Sequence, residues 1–119
     1  MAAPNLKAPT SITGKTARYA VTTTLAAALS NAAASGKVLK INSIFCANVD
    51  GTNDADISVS IYDGTNERYL AKTITVPADA TQILSTKDTY FYLEEGDSIR
   101  ALASAAGDLE LIIGYEEIA

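Results

Sequence analysis

The sequence predicts an all-β fold, an antiparallel, jelly-roll-like β-sandwich of seven to nine short strands behind an extended N-terminal arm. Three observations lead there. Apolar and polar residues alternate along five separate stretches. Turn-forming Gly, Asp and Pro punctuate those stretches at near-regular spacing. The chain has 119 residues, enough for one hydrophobic core and too few for two.

Residues 1–16 read as the arm. Pro4 and Pro9 exclude regular helix, and the Asn, Thr, Ser, Lys and Gly14 around them supply little to bury. The sandwich is expected over residues 17–119. A first strand is expected near 18–24, where Thr22–Thr24 are three consecutive β-branched residues. The stretch 25–34 is ambiguous. Val21, Leu25 and Leu29 recur every four residues, which suits a helix and a strand equally. Ala26–Ala28 and Ala32–Ala34 add helix propensity. A second strand or loop through Ser30 and a short helix near 26–34 both stand. Asn31–Gly36 reads as a turn of small residues.

From Lys37 the period of two is clearer. Leu39, Ile41, Phe45, Ala47 and Val49 share one parity, with Lys40, Asn42 and Asn48 opposite. Ile57, Val59 and Ile61 alternate with Ser58, Ser60 and Tyr62. Leu70, Ile74 and Val76 share a face, with Thr73 and Thr75 opposite. Ile99, Ala101 and Ala103 alternate with Arg100, and Leu109, Leu111 and Ile113 with Glu110. Each reads as a strand with one face for the core. The turns are Asp50-Gly51, Asp63-Gly64, Pro77-Ala78-Asp79, Glu95-Gly96-Asp97 and Gly107-Asp108. Gly offers positive φ there, Asp bonds its own backbone and Pro presets the bend.

Composition removes much chemistry. There is no His, so no Ser-His-Asp or Cys-His catalysis and no His-bound metal. One Cys, Cys46, excludes an internal disulfide and a paired-cysteine metal site. Its apolar neighbours Ile44, Phe45 and Ala47 point to a buried, inert thiol. No signal peptide is expected in Met1–Thr10, and no stretch approaches the roughly 20 apolar residues of a membrane helix. No membrane partner is expected.

The net charge of −5 is unevenly laid out. Residues 1–40 carry Lys7, Lys15, Arg18, Lys37, Lys40 and no acid; residues 41–119 carry the other four bases and all 14 acids. Such halves complement each other within one fold or between copies. Nucleic acid is excluded as a partner, because the bases form no run and the acidic body repels phosphate.

Asp50, Asp54 and Asp56, with Asn53 between them, are the metal-ligand candidates, since calcium takes clustered hard oxygens. The order departs from an EF-hand loop, and a hairpin loop with Asx turns also accounts for these residues. Glu94, Glu95 and Asp97, and Glu116 with Glu117, are acidic pairs without a cleft signature, so no enzyme is expected. Gly14-Lys15-Thr16 lacks the preceding glycine and strand of a phosphate loop, and no cofactor is expected. The interface candidates are the basic Lys7, Lys15 and Arg18 and the tyrosines Tyr62, Tyr69, Tyr90 and Tyr92, whose large faces and polar tips suit contact surfaces.

Several segments together resemble small virion structural proteins of tailed bacteriophages, especially those of marine cyanobacterial and pelagic phages. They are Ile12–Ala17, Gly36–Ile44, Asn48–Asn53, Val76–Ala80, Tyr92–Ile99 and Tyr115–Ile118. The resemblance spans most of the chain and includes no catalytic motif. It implies a β-sandwich subunit present in the virion in many copies, made in the host bacterial cytoplasm. Its first expected role is a capsid decoration or cement protein. That role implies a homo-oligomer, with a trimer expected, resting on virion proteins such as the major capsid protein. The second is a neck, tail or baseplate ring or fibre-adaptor subunit. A third, a host-glycan-binding module, rests on fold analogy, and the absence of Trp weighs against it.

Overall fold

A computed structural model describes residues 4–119. Nine strands follow one another: β1 (Ile12–Ala20), β2 (Ala26–Ser30), β3 (Val38–Asn48), β4 (Ala55–Tyr62), β5 (Glu67–Val76), β6 (Thr81–Ser85), β7 (Phe91–Leu93), β8 (Ser98–Ala103) and β9 (Leu109–Ile118). A single 3₁₀ turn, Lys87–Thr89, precedes β7. Among the described residues there is no α-helix.

The strands form two antiparallel sheets. Sheet I has the order β1-β9-β3-β6, with the three-residue β7 also pairing to β3; sheet II has the order β2-β8-β4-β5. The pairing follows one rule. The chain behaves as one long hairpin whose tip is the β4–β5 turn and whose ends are β1 and β9. Going outward from the tip, β4 pairs β5, β3 pairs β6 and β7, β2 pairs β8, and β1 pairs β9. Rolled up, this hairpin is the double Greek key of a jelly roll, so the expected sandwich is present with nine strands.

The core lies between the sheets. Ile41, Ile44 and Cys46 of β3, Ile57 and Val59 of β4, Ile99 and Ala101 of β8, and Leu111 and Ile113 of β9 are all shut off from solvent. Two buried asparagines close the ends of this slab. The Asn48 side chain donates to the Asn53 and Val76 carbonyls and accepts from the Asp50 amide. The Asn31 side chain donates to the Lys37 and Leu93 carbonyls and accepts from the Ser35 hydroxyl. Both satisfy loop backbone that would otherwise be buried unpaired.

Several expectations need correction. Residues 12–16, assigned to the arm, are the first half of β1 and pair in unbroken register with β9. Residues 1–3 of the expected arm lie outside the described residues. Long-range pairing outweighs weak local propensity there. The strand expected at 18–24 therefore ends at Ala20. Thr22–Thr24 instead make the corner between sheets, where the Thr22 hydroxyl donates to the Thr24 carbonyl and Val21 is buried. Residues 26–30 are a strand, which decides the ambiguous stretch against helix.

Two strands change face midway. In β3 the register against β9 shifts between Ile41 and Ser43, a β-bulge. Beyond it Ile44, Cys46 and Asn48 turn inward, and Phe45 and Val49 turn outward. In β5 the register against β4 shifts twice, and Thr73 takes positive φ. Ala71 is therefore buried and Leu70 exposed, the reverse of the alternation. At Asp50-Gly51 the turn forms without positive φ at the glycine. The Asp50 carboxylate caps it instead, accepting from the Thr52 and Asn53 amides.

Candidate interaction faces

Each sheet has an outer face, and the two differ in kind. On sheet I, Ile112 lies opposite Phe45 across β9 and β3, Phe45 lies opposite Ile83 across β3 and β6, and Arg18 lies opposite Ile112 across β1 and β9. One row across four strands therefore reads Arg18, Ile112, Phe45, Ile83. The three apolar members remain 44%, 36% and 53% exposed. One residue past the end of β3, Val49 is 51% exposed on the same parity as Phe45. Toward the other end, Lys40 sits between Glu116 and Tyr92 in register. Its ammonium lies 4.4 Å above the Tyr90 ring, and Tyr90 meets Tyr92 edge-on with ring centres 5.9 Å apart. A shallow depression beside Ile112 is lined by Arg18, Tyr19, Ala20 and Glu110.

The bulge shapes the middle of this face. A β-carbon on Gly114 would come within 2.9 Å of the Ser43 hydroxyl, so a larger residue there makes that hydroxyl rotate away. Asn42, the extra residue, donates to Glu116 at 3.0 Å, while its own carbonyl oxygen is buried without a partner.

On sheet II most of the outward polar residues meet each other, while Leu70 and Tyr69 of β5 stay exposed. The Arg100 guanidinium stacks 4.4 Å over Tyr62, and its Nε lies 3.5 Å from Glu67 without hydrogen-bond alignment. The Ser60 hydroxyl donates to the other Glu67 oxygen. The Ser58 hydroxyl accepts from the Thr73 amide, which explains how a polar group can be buried on an outer face. Thr75 donates to Asp56 at 2.8 Å, and the Asp56 amide donates to Ser104. A second shallow depression lies here, lined by Asp56, Ser58, Thr73, Leu102, Ala103 and Ser104.

The expected interface residues thus divide. Tyr92 belongs to sheet I and Tyr90, just before β7, packs beside it; Tyr62 and Tyr69 belong to sheet II. Tyr62 is half-buried and its hydroxyl donates to the Gly64 carbonyl, so it is committed within the chain. Tyr69 is exposed under the Lys72 ammonium. Lys15 and Lys37 both bind Glu117 of the same chain, at 3.2 and 3.1 Å. Those two hydrogen bonds hold the Glu117 carboxyl below its usual range. Part of the positive first third is therefore neutralised inside one fold. Lys7 and Arg18 are exposed and make no ion pair among the described residues.

The three aspartates proposed for calcium are not brought together. Asp50 caps its own loop, and the Thr52 and Asn53 donors hold its carboxyl below the usual carboxylate range. Asp54 accepts from the Ala78 amide, and Asp56 is held by Thr75. Among the described residues no cluster of three or more potential metal ligands occurs. Cys46 is fully buried and its thiol is pushed up to about 11 by desolvation, as suits an inert core residue.

Sequence reasoning missed Phe45, Ile83 and Ile112 as a surface. Ile112 was the detectable one, an isoleucine on the polar parity of β9 between buried Leu111 and Ile113. Phe45 was hidden by the bulge, and Ile83 lies in a strand of five residues that gave no clear period.

No family model and no curated protein matches the chain. Among solved structures, it is similar to a pentameric capsid protein isolated from metagenomic phage sequences, with 15% identity and a TM-score of 0.42. That overlap covers 87% of this chain and 60% of the other. A structure of such a protein solved by iodide phasing gives 16% identity and a TM-score of 0.43, over 87% and 67% of the two chains. The chain thus spans about three-fifths of the length of the first of these proteins.

Proposed function

We propose that this chain is a non-enzymatic structural protein of a tailed-phage virion, a capsid decoration or cement subunit that works as a homo-oligomer. The observation that carries the reading is the outer face of sheet I. A small domain whose largest exposed apolar row lies flat across three adjacent strands is built to be covered by a neighbour. The resemblance of six segments to phage virion proteins supplies the class of particle. The jelly roll itself supports many functions and decides none of them. The trimer expected from the sequence sets one copy number to be counted.

Electron cryo-microscopy of purified particles of the encoding phage tests the reading. Density for this chain repeated over the shell is the expected result. Density confined to one ring at the neck or tail replaces decoration with the ring or fibre-adaptor role. Absence from purified particles overturns the virion assignment altogether.

A further inference from the structure

We infer that the outer face of sheet I is covered by the same face of a second copy of this chain, across a two-fold axis. The inference rests on the self-assembly part of the proposed function and names the surface that performs it. Three features favour a second copy as the occupant.

The first is register. Place the two-fold axis parallel to the strands, between β9 and β3. Each residue of β9 then faces the residue of β3 that is its in-register neighbour within the chain. Ile112 of one copy meets Phe45 of the other, and the reverse contact follows by symmetry. Two rows up, Glu116 meets Lys40 twice over. Strands of the two copies run in the same direction, as in aligned packing of sheets.

The second is charge. The chain carries a net −5, so most of its surface repels a copy of itself. This face carries Arg18 and Lys40 against Glu110 and Glu116 and is neutral as a whole. It can approach its own image without that opposition.

The third is size. Four columns about 4.8 Å apart, namely β1, β9, β3 and the shorter β6 continued by β7, each rising about 3.3 Å per residue over roughly nine residues, give a face near 600 Å² in projection. Side-chain relief brings this to the order of the 800 Å² that each partner buries in a standard stable interface.

Sedimentation or light scattering of the full chain tests the contact. The wild type is expected to be dimeric. Ile112→Lys and Phe45→Glu are each expected to weaken the dimer about tenfold or more, with β circular dichroism retained. Tyr69→Lys, on sheet II, is expected to leave it unchanged. Lys40→Glu alone is expected to weaken the dimer, and the double swap of Lys40→Glu with Glu116→Lys to restore it; because the two residues are also neighbours within the chain, the unfolding midpoint of the dilute monomer is expected to stay the same in both variants. A wild type that stays monomeric at millimolar concentration overturns the inference, as does a dimer or trimer that survives both apolar substitutions. A monomeric chain still found in virions overturns this contact alone. A dimer absent from virions overturns the virion reading alone.

Discussion

The outer faces of the two sheets have the same architecture and opposite chemistry. On sheet II, Arg100, Glu67, Ser60 and Tyr62 spend their polar and aromatic groups on one another. On sheet I, Ile112, Phe45 and Ile83 stand beside one another and remain open. A face whose donors, acceptors and rings are already paired has little to gain from a partner. A face that leaves contiguous apolar area in water gains by being covered, at about 25 cal/mol for each Å² removed from solvent. The contrast separates a finished surface from an unfinished one.

The largest test of that contrast is Arg100→Ala. It strips Glu67 and Tyr62 of their cover and leaves a part-buried carboxylate, so unfolding by denaturant should show a loss of about 1–3 kcal/mol. A loss below about 0.5 kcal/mol means that sheet II is merely solvated and the two faces are alike. Next comes Glu117, at the rim of sheet I. Its carboxyl titrates lower in the folded chain than its ordinary value of 4.5. Its contribution is therefore complete above that value and disappears as pH falls through the lower folded one. Lys15 and Lys37 are 43% exposed, so the effect is less than about 1 kcal/mol. Glu117→Gln should lower stability near neutrality by that amount and converge on the wild type as pH falls below 4.5, so that its curve is flatter there. The smallest effect belongs to Ile112→Thr. In the isolated chain it should change stability by no more than about 0.5 kcal/mol, because the side chain is on the surface. A larger loss measured in dilute monomer places Ile112 in the chain's own packing and removes the distinction between the faces.

Much of this was legible in the sequence. The alternation in β4, β8 and β9 gave the core positions Ile57, Val59, Ile99, Ala101, Leu111 and Ile113, all buried. The burial of Cys46 followed from its neighbours. The faces that were misread failed for one physical reason. Period-two reading assumes an unbroken ladder, and a bulge inserts a residue without a composition signal. One such insertion at Ile41–Ser43 sent Phe45 and Val49 to the outside, and two in β5 exchanged Leu70 for Ala71. Strand order was not legible at all, because hydrophobic pattern says which face a residue takes and nothing about which strand it joins. The open row on sheet I is a product of both unknowns, needing the bulge to turn Phe45 out and the topology to set Ile83 and Ile112 beside it.

The rolled hairpin has a consequence for how the molecule comes into being. In sheet I, β9 lies between β1 and β3, yet it follows every other strand along the chain. The Lys15–Glu117 contact joins residues 102 positions apart. On a ribosome, β1 emerges early and waits for a partner through the synthesis of nearly the whole domain, with its backbone edge and half of the future core uncovered. Closure is one late event, made by the strand that also carries Ile112, and contacts of such separation fold slowly. Until β9 inserts, there is no outer face of sheet I to meet a second copy. The chain therefore cannot assemble through that face before it has finished folding.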